Sequence, residues 1–149
     1  MNNYVLGFAF NKDFREVLLI LKNKGWQKGL YNGIGGKIEA YESIEEAMVR
    51  EFKEESNIDT DIKDWKRVCQ MGDYKTWACE VFSIVLEDLT NYKSLTEETV
   101  MPCIIKNIDQ ENGYQINLPT NCIKNLKWLI PLCIDSYENK KSVSVTYGY

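Results

Sequence analysis

A chain of 149 residues, 44% hydrophobic and 27% charged, has enough apolar side chain to close a core, and its length suits one domain. Its formal net charge of −4 argues against affinity for bulk nucleic acid or an anionic membrane, and no apolar run approaches the ~20 residues that span a bilayer. Histidine is absent, which removes Ser-His-Asp and Cys-His catalysis and any mixed Cys/His zinc site, so acid–base work falls to carboxylates, lysine, tyrosine or metal-bound water.

Residues 4–10 and 16–22 read as strands joined by a polar turn at 11–14, a hairpin. The opening residues lack a basic leader and read as part of the first strand. A glycine-bearing loop over 24–36 is followed by a helix over 44–56. Residues 65–71 and 76–86 predict two strands around Gly72-Asp73. The polar stretch 87–98 has no periodicity and is expected to be a mobile loop. A short strand is expected at 102–108 and a loop at 111–119. Ile123, Leu126, Leu129, Ile130 and Ile134 recur at helical spacing, predicting a second helix over 121–137 with Pro131 as a candidate kink. Residues 142–147 predict a closing strand. The sum is an α+β domain over 1–149, a mixed sheet with helices packed on it in an α/β/α layered sandwich. The five cysteines, Cys69, Cys79, Cys103, Cys122 and Cys133, are odd in number and not closely paired, which suits core packing in a reducing compartment and a cytoplasmic location.

The chemistry concentrates between residues 36 and 58. Ser43 and Glu46 form a capping box at the helix start, and Asn57 tolerates the left-handed exit at its end. Glu51, Glu54 and Glu55, spaced i, i+3, i+4, share one side of that helix. They overlap the apolar stripe of Ile44, Ala47, Met48 and Phe52, whereas Glu45, Glu46, Arg50 and Lys53 populate the opposite face. Carboxylates beside a core-facing stripe, near the negative end of the helix dipole, call for a positive partner. A hard divalent cation held by oxygens is the simplest one. Just upstream, Asn32-Gly33-Ile34-Gly35-Gly36-Lys37 lets backbone groups approach a bound ligand closely.

This run resembles the signature of the Nudix hydrolase family at Gly36, Glu42, Arg50-Glu51, Phe52, Glu54-Glu55 and Ile58, with Asn57 in place of the usual late glycine. The resemblance implies the same layered fold and hydrolysis of a phosphoanhydride in a nucleoside diphosphate derivative. It also implies Mg²⁺, with Mn²⁺ as a substitute, held by Glu51, Glu54 and Glu55 and by a backbone oxygen of Gly36. Arg50 cannot accept a proton and is expected to pair with Glu42, bracing the loop against the helix. The general base is left between the helix glutamates and a glutamate of a later loop. Glu98, beside Glu97, is the preferred candidate there, with a solvated acidic loop tip as the bland alternative.

Residues 22–37 are similar to the MutT-like branch, especially enzymes acting on oxidised purine nucleoside triphosphates. That comparison sets Asn32 at the base edge, Trp26 at an aromatic wall, Lys22 toward phosphate and sugar, and Gly35, Gly36 and Lys37 in the substrate-facing loop. The chemistry agrees unaided: an amide both donates and accepts, and an indole covers a purine face. Core coverage by Trp26 and Tyr31, and turn formation by Asn32, are the bland alternatives. Where that branch carries Trp-Pro-Asp-Asp, this chain has Leu118-Pro119-Thr120-Asn121, so Thr120 and Asn121 become candidates that hydrogen-bond without a carboxyl group. The reading is a purine nucleoside triphosphate cut to monophosphate and pyrophosphate by a monomer or homodimer. ADP-ribose, dinucleoside polyphosphates (Tyr74 hints at these) and a non-catalytic nucleotide-binding module are the alternatives.

Overall fold

The structure is a computed structural model describing residues 1–109 and 113–138. In chain order the elements are β1 (Asn2–Asn11), β2 (Glu16–Leu21), β3 (Tyr31–Asn32), β4 (Ile34–Lys37), α1 (Ile44–Ser56), β5 (Lys66–Gly72), β6 (Trp77–Leu86), β7 (Thr99–Ile104), β8 (Lys106–Asp109), β9 (Gly113–Ile116) and α2 (Leu126–Glu138). The first seven strands form one mixed sheet of order β3-β2-β1-β6-β5, with β4 paired to β1 and β7 to β2.

β1 is buried without interruption from Val5 to Phe10 because both of its faces are covered, hence its continuous apolar run instead of an alternating one. It pairs in parallel with β6 and antiparallel with β2 and β4. The β1–β2 turn closes through a 3.0 Å bond from the Phe14 amide to the Asn11 carbonyl.

On one face α1 lays Ala47, Met48 and Phe52 over Val5, Ala9, Leu18, Ile20, Ile34, Phe82 and Ile84. On the other, Leu126, Leu129, Ile130, Cys133 and Ile134 of α2 cover Leu6, Phe8, Phe10, Val17 and Leu19. The expected layering is therefore present, with α1 and α2 on opposite sides of the sheet. Trp128 packs partly buried against the second cluster, as core.

Several expected boundaries move. The 24–36 loop contains a single 3₁₀ turn at Gly25–Gln27 and then the short strands β3 and β4, which alternation could not reveal in so glycine-rich a stretch. The strand expected at 102–108 is two, β7 and β8, and part of the following loop is β9, antiparallel to β8. α2 starts at Leu126, not at residue 121, because 121–123 runs beside β3: the Tyr31 amide donates to the Asn121 carbonyl at 2.8 Å and the Ile123 amide to the Tyr31 carbonyl at 2.9 Å. The helix continues through Pro131. The 87–98 segment is irregular but anchored, by Leu89 in the core and by a 2.8 Å bond from the Lys93 amide to the Ser56 carbonyl. The strand expected at 142–147 lies outside the described residues.

Candidate active site

α1 begins with the anticipated box: the Glu46 amide donates to Ser43 Oγ at 3.1 Å, and the Ser43 amide to Glu46 Oε2 at 2.7 Å. It ends at Asn57 in the left-handed conformation, φ 61°. Between these caps, Arg50 ties helix to loop. Its guanidinium donates to both Glu42 oxygens, at 2.9 and 2.7 Å, and to the Lys37 carbonyl at 3.1 Å. It also reaches Glu51 Oε1 at 2.9 Å and Glu54 Oε2 at 3.2 Å. The bidentate Arg50 contact holds the Glu42 carboxyl down to about 2, whereas the same pairing raises Arg50.

The three glutamates are not equivalent. Glu51 is 13% exposed and Glu54 57%. Burial pushes the Glu51 carboxyl up, against the pull of Arg50. Burial also raises Glu55, with Glu98 and Glu51 adding repulsion and Lys22 opposing. Each carboxylate has a local donor, Arg50 for Glu51 and Glu54 and the Thr96 hydroxyl (3.2 Å) for Glu55. Among the described residues no three Cys, Asp or Glu side chains are arranged to share one ion, so the expected convergence of Glu51, Glu54 and Glu55 is looser than their spacing suggested.

The donor set nonetheless fits a hard cation. Glu51 and Glu55 are carboxylates held partly out of water beside the core, raised by burial and repelling each other. Gly36 supplies a cradle that a side chain would fill: a Cβ there would lie 2.3 Å from Glu51 Oε1 and 2.6 Å from Oε2. The Glu51 carboxylate thus packs against the backbone of residue 36 only because that residue lacks a side chain.

Beside this edge opens a cleft of about 760 Å³, whose lining includes Tyr4 and Leu6 of β1, Trp77 and Cys79 of β6, Lys22, Trp26, Gln27, Asn32, Gly35, Gly36, Ile123 and Asn125. Lys22, Trp26, Asn32, Gly35 and Gly36 were anticipated there. Trp26 stands at the cleft, 78% exposed. Asn32 is partly spent on its own turn, its Oδ1 accepting from the Gly33 amide at 2.8 Å and its Nδ2 donating to Gln27 at 3.0 Å.

Three candidates stand away from the cleft. The Lys37 side chain is exposed, and this residue contributes its carbonyl to Arg50. Thr120 is exposed in a turn outside the cleft lining, and Asn121 donates to the Gly29 carbonyl at 3.1 Å. The 121–123 pairing with β3 carries the chain past these two and brings Ile123 and Asn125 to the cleft. Sequence reading missed both; the late start of α2 was the feature that hid them. Glu98 is 12% exposed, with one oxygen 2.6 Å from Lys22 Nζ and the other accepting from the Asn23 amide at 3.0 Å.

Residues 3–105 match the NUDIX domain family, well over half of the chain. The chain belongs to the Nudix family. A 46-residue segment is 47% identical to an oxidised purine nucleoside triphosphate hydrolase of Danio rerio, covering 31% of this chain and 30% of that relative. The chain thus aligns with less than a third of that curated relative's length. A MutT/nudix family protein from Enterococcus faecalis has a similar fold (TM-score 0.70, 13% identity), covering 92% of this chain and 62% of that one. So does an ADP-ribose pyrophosphatase from Streptococcus suis (TM-score 0.67, 17% identity), with 98% of each chain covered. At these identities the two structures speak for the fold alone. No described helix is long and apolar enough to cross a membrane.

Proposed function

We propose that this Nudix protein is a Mg²⁺-dependent pyrophosphohydrolase that cuts a purine nucleoside triphosphate into the monophosphate and pyrophosphate. The observation that carries the reading is the largely buried Glu51 carboxylate seated on the Gly36 cradle, with Glu55 on the same side of the helix, at the edge of a cleft large enough for a nucleotide.

Oxygens of Glu51, Glu54 and Glu55 with the Gly36 carbonyl would hold Mg²⁺, which when bound would neutralise phosphate charge and make a water more acidic. The remaining work belongs to the chain. Arg50 fixes Glu51 and Glu54 on the helix side and locks the loop through Glu42. Lys22, the cationic side chain lining the cleft, meets the phosphates. The water's oxygen bonds to phosphorus, the α–β anhydride bond breaks, and the water's proton passes to a carboxylate of the helix glutamates or Glu98. Glu98 serves only after its bond to Lys22 opens, since both of its oxygens are otherwise engaged.

The base sits against Trp26, with Tyr4, Leu6 and Trp77 on the sheet side, and its edge is read by Asn32 and Asn125. The described lining contains amides and no Asp or Glu. An amide pair reads a neutral base by donor and acceptor, without sharing a proton with it. Recognition of the base itself is therefore insensitive to pH between about 5 and 8, where no cleft amide titrates. The segment shared with the Danio rerio enzyme supports including oxidised purines among the substrates.

A panel of canonical and oxidised nucleoside triphosphates, ADP-ribose and dinucleoside polyphosphates, each with Mg²⁺, tests the reading by product separation. Monophosphate and pyrophosphate from a purine triphosphate are expected. Cleavage confined to ADP-ribose or the dinucleotides would refute the triphosphate assignment, and no cleavage of any member would favour a non-catalytic binder.

A further inference from the structure

Lys22 follows β2 directly and faces two ways. Its Nζ lies 2.6 Å from Glu98 Oε2, and the two side chains are only 24% and 12% exposed. The other lysine–glutamate pairs among the described residues are open to solvent: Lys24–Glu97 is 79% exposed on both sides, and Lys12–Glu87 is 74% and 86%. Exposed pairs of that kind contribute little, whereas a partly buried pair is screened much less. The same Lys22 lines the cleft and pulls the Glu55 carboxyl downward. One ammonium is thus within electrostatic reach of Glu55, Glu98 and the substrate volume.

We propose that Lys22 is an exchangeable counter-ion: Glu98 holds its ammonium until substrate phosphate draws it into the cleft, so that nucleotide and divalent cation bind with positive coupling. The inference rests on the cation reading of the preceding section. While Lys22 stays on Glu98, its charge opposes a cation at the neighbouring carboxylates and blocks one Glu98 oxygen. A triphosphate carries several negative charges and outcompetes a single carboxylate for the ammonium. Lysine suits the exchange, because a point charge on a flexible four-carbon stem changes partners without moving the backbone. Arg50 does not take this part, since Glu42 holds its planar fork from two sides. Linkage then requires reciprocity: whatever moves Lys22 toward phosphate tightens the cation, and the cation tightens the nucleotide.

Two affinities with opposite expected signs test this. Mn²⁺ binding to the nucleotide-free protein is followed by electron paramagnetic resonance of free Mn²⁺. Binding of a non-hydrolysable purine triphosphate analogue in EDTA is followed by calorimetry. Lys22→Met is expected to tighten Mn²⁺ about tenfold, within the usual range of coupling between sites, and to weaken the analogue; Lys22→Arg, which keeps the charge, should resemble wild type in Mn²⁺ affinity. Structural damage would weaken both ligands, and that result, or an unchanged Mn²⁺ affinity in Lys22→Met, overturns the proposal. Glu51→Gln is the control that separates the two readings. If wild type binds no Mn²⁺, or binds it equally well as Glu51→Gln, the cation reading itself fails and takes this inference with it; if Glu51→Gln loses Mn²⁺ while Lys22→Met does not gain it, only the exchange is wrong.

Discussion

Adding one methyl group at Gly36 and one at Gly35 should produce opposite kinds of damage. At Gly36 the new Cβ would stand 2.3 Å from Glu51 Oε1, against an ordinary contact of 3.4 Å or more, so the carboxylate must retreat by about 1 Å. The obstacle is the end of a flexible side chain, so the fold can give way. Displacing Glu51 weakens its 2.9 Å bond to Arg50, a loss of about 1.5 kcal/mol for a charge-assisted bond, partly offset by the stiffer unfolded chain of alanine. The net change should stay within about 1 kcal/mol, a Tm shift of about 2–4 °C for a chain of this size. Catalytic geometry tolerates far less, and a misplacement of about 1 Å costs on the order of 10²-fold in turnover. At Gly35 the Cβ would meet Val5 backbone oxygen at 2.0 Å and Leu6 Cα at 2.9 Å, and nothing there moves unless β4 separates from β1. Gly35→Ala should cost more than about 4 kcal/mol, a large share of a typical domain's stability. Thermal melts beside Mg²⁺-dependent turnover distinguish the cases. Wild-type turnover in Gly36→Ala, or collapse as severe as that of Gly35→Ala, would refute the claim that residue 36 is small for the sake of Glu51.

Glu55→Gln should raise Tm at pH 7 in EDTA while abolishing most turnover. The raised carboxyl favours the fold below its unfolded value of 4.5, and that contribution is lost as pH rises through the folded value, so the gain from Gln should shrink at pH 4. Glu42→Gln should behave in the opposite sense. Its carboxylate, held down to about 2 by Arg50, contributes stability in full above 4.5 and loses it as pH falls through about 2, so the melting gap from wild type should close over that window. Arg50→Lys should lower both Tm and turnover, since an ammonium cannot hold Glu42, Glu51, Glu54 and the Lys37 carbonyl together; wild-type values in both assays would count against the brace. Asn125→Ala should raise KM for a purine triphosphate by about 10-fold, the scale of one lost hydrogen bond to substrate, while Thr120→Ala leaves it unchanged. Equal effects from the two would return the base edge to the 118–121 turn.

Much of this was legible because local signals agreed with one another. The Ser43–Glu46 box, Asn57 and the apolar stripe fix α1 independently of any packing, and a capped helix fixes which glutamates share a side. The Arg50–Glu42 contact, between residues eight positions apart, was expected from the family resemblance and the chemistry of a guanidinium beside a carboxylate. What could not be read depends on contacts distant in sequence. Tyr31 pairs with residues 121–123, which delays α2 and exchanges Thr120 and Asn121 for Ile123 and Asn125 at the cleft. Sharing one helix side also concealed unequal burial: Glu54 turns to solvent and Arg50, while the Glu51 carboxylate packs on Gly36 of β4. The 87–98 segment looked free because its anchors, Ser56, Glu55 and Lys22, lie on other elements.

If the acidic side of α1 and the Gly36 carbonyl hold the cation that acts on the nucleotide, anomalous scattering from a crystal grown with Mn²⁺ and a non-hydrolysable purine triphosphate analogue will locate it there. A manganese peak within bonding distance of Glu51 and Glu55 oxygens and of a phosphate is the expected result; an analogue seated in the cleft with manganese bound to phosphates alone would contradict it.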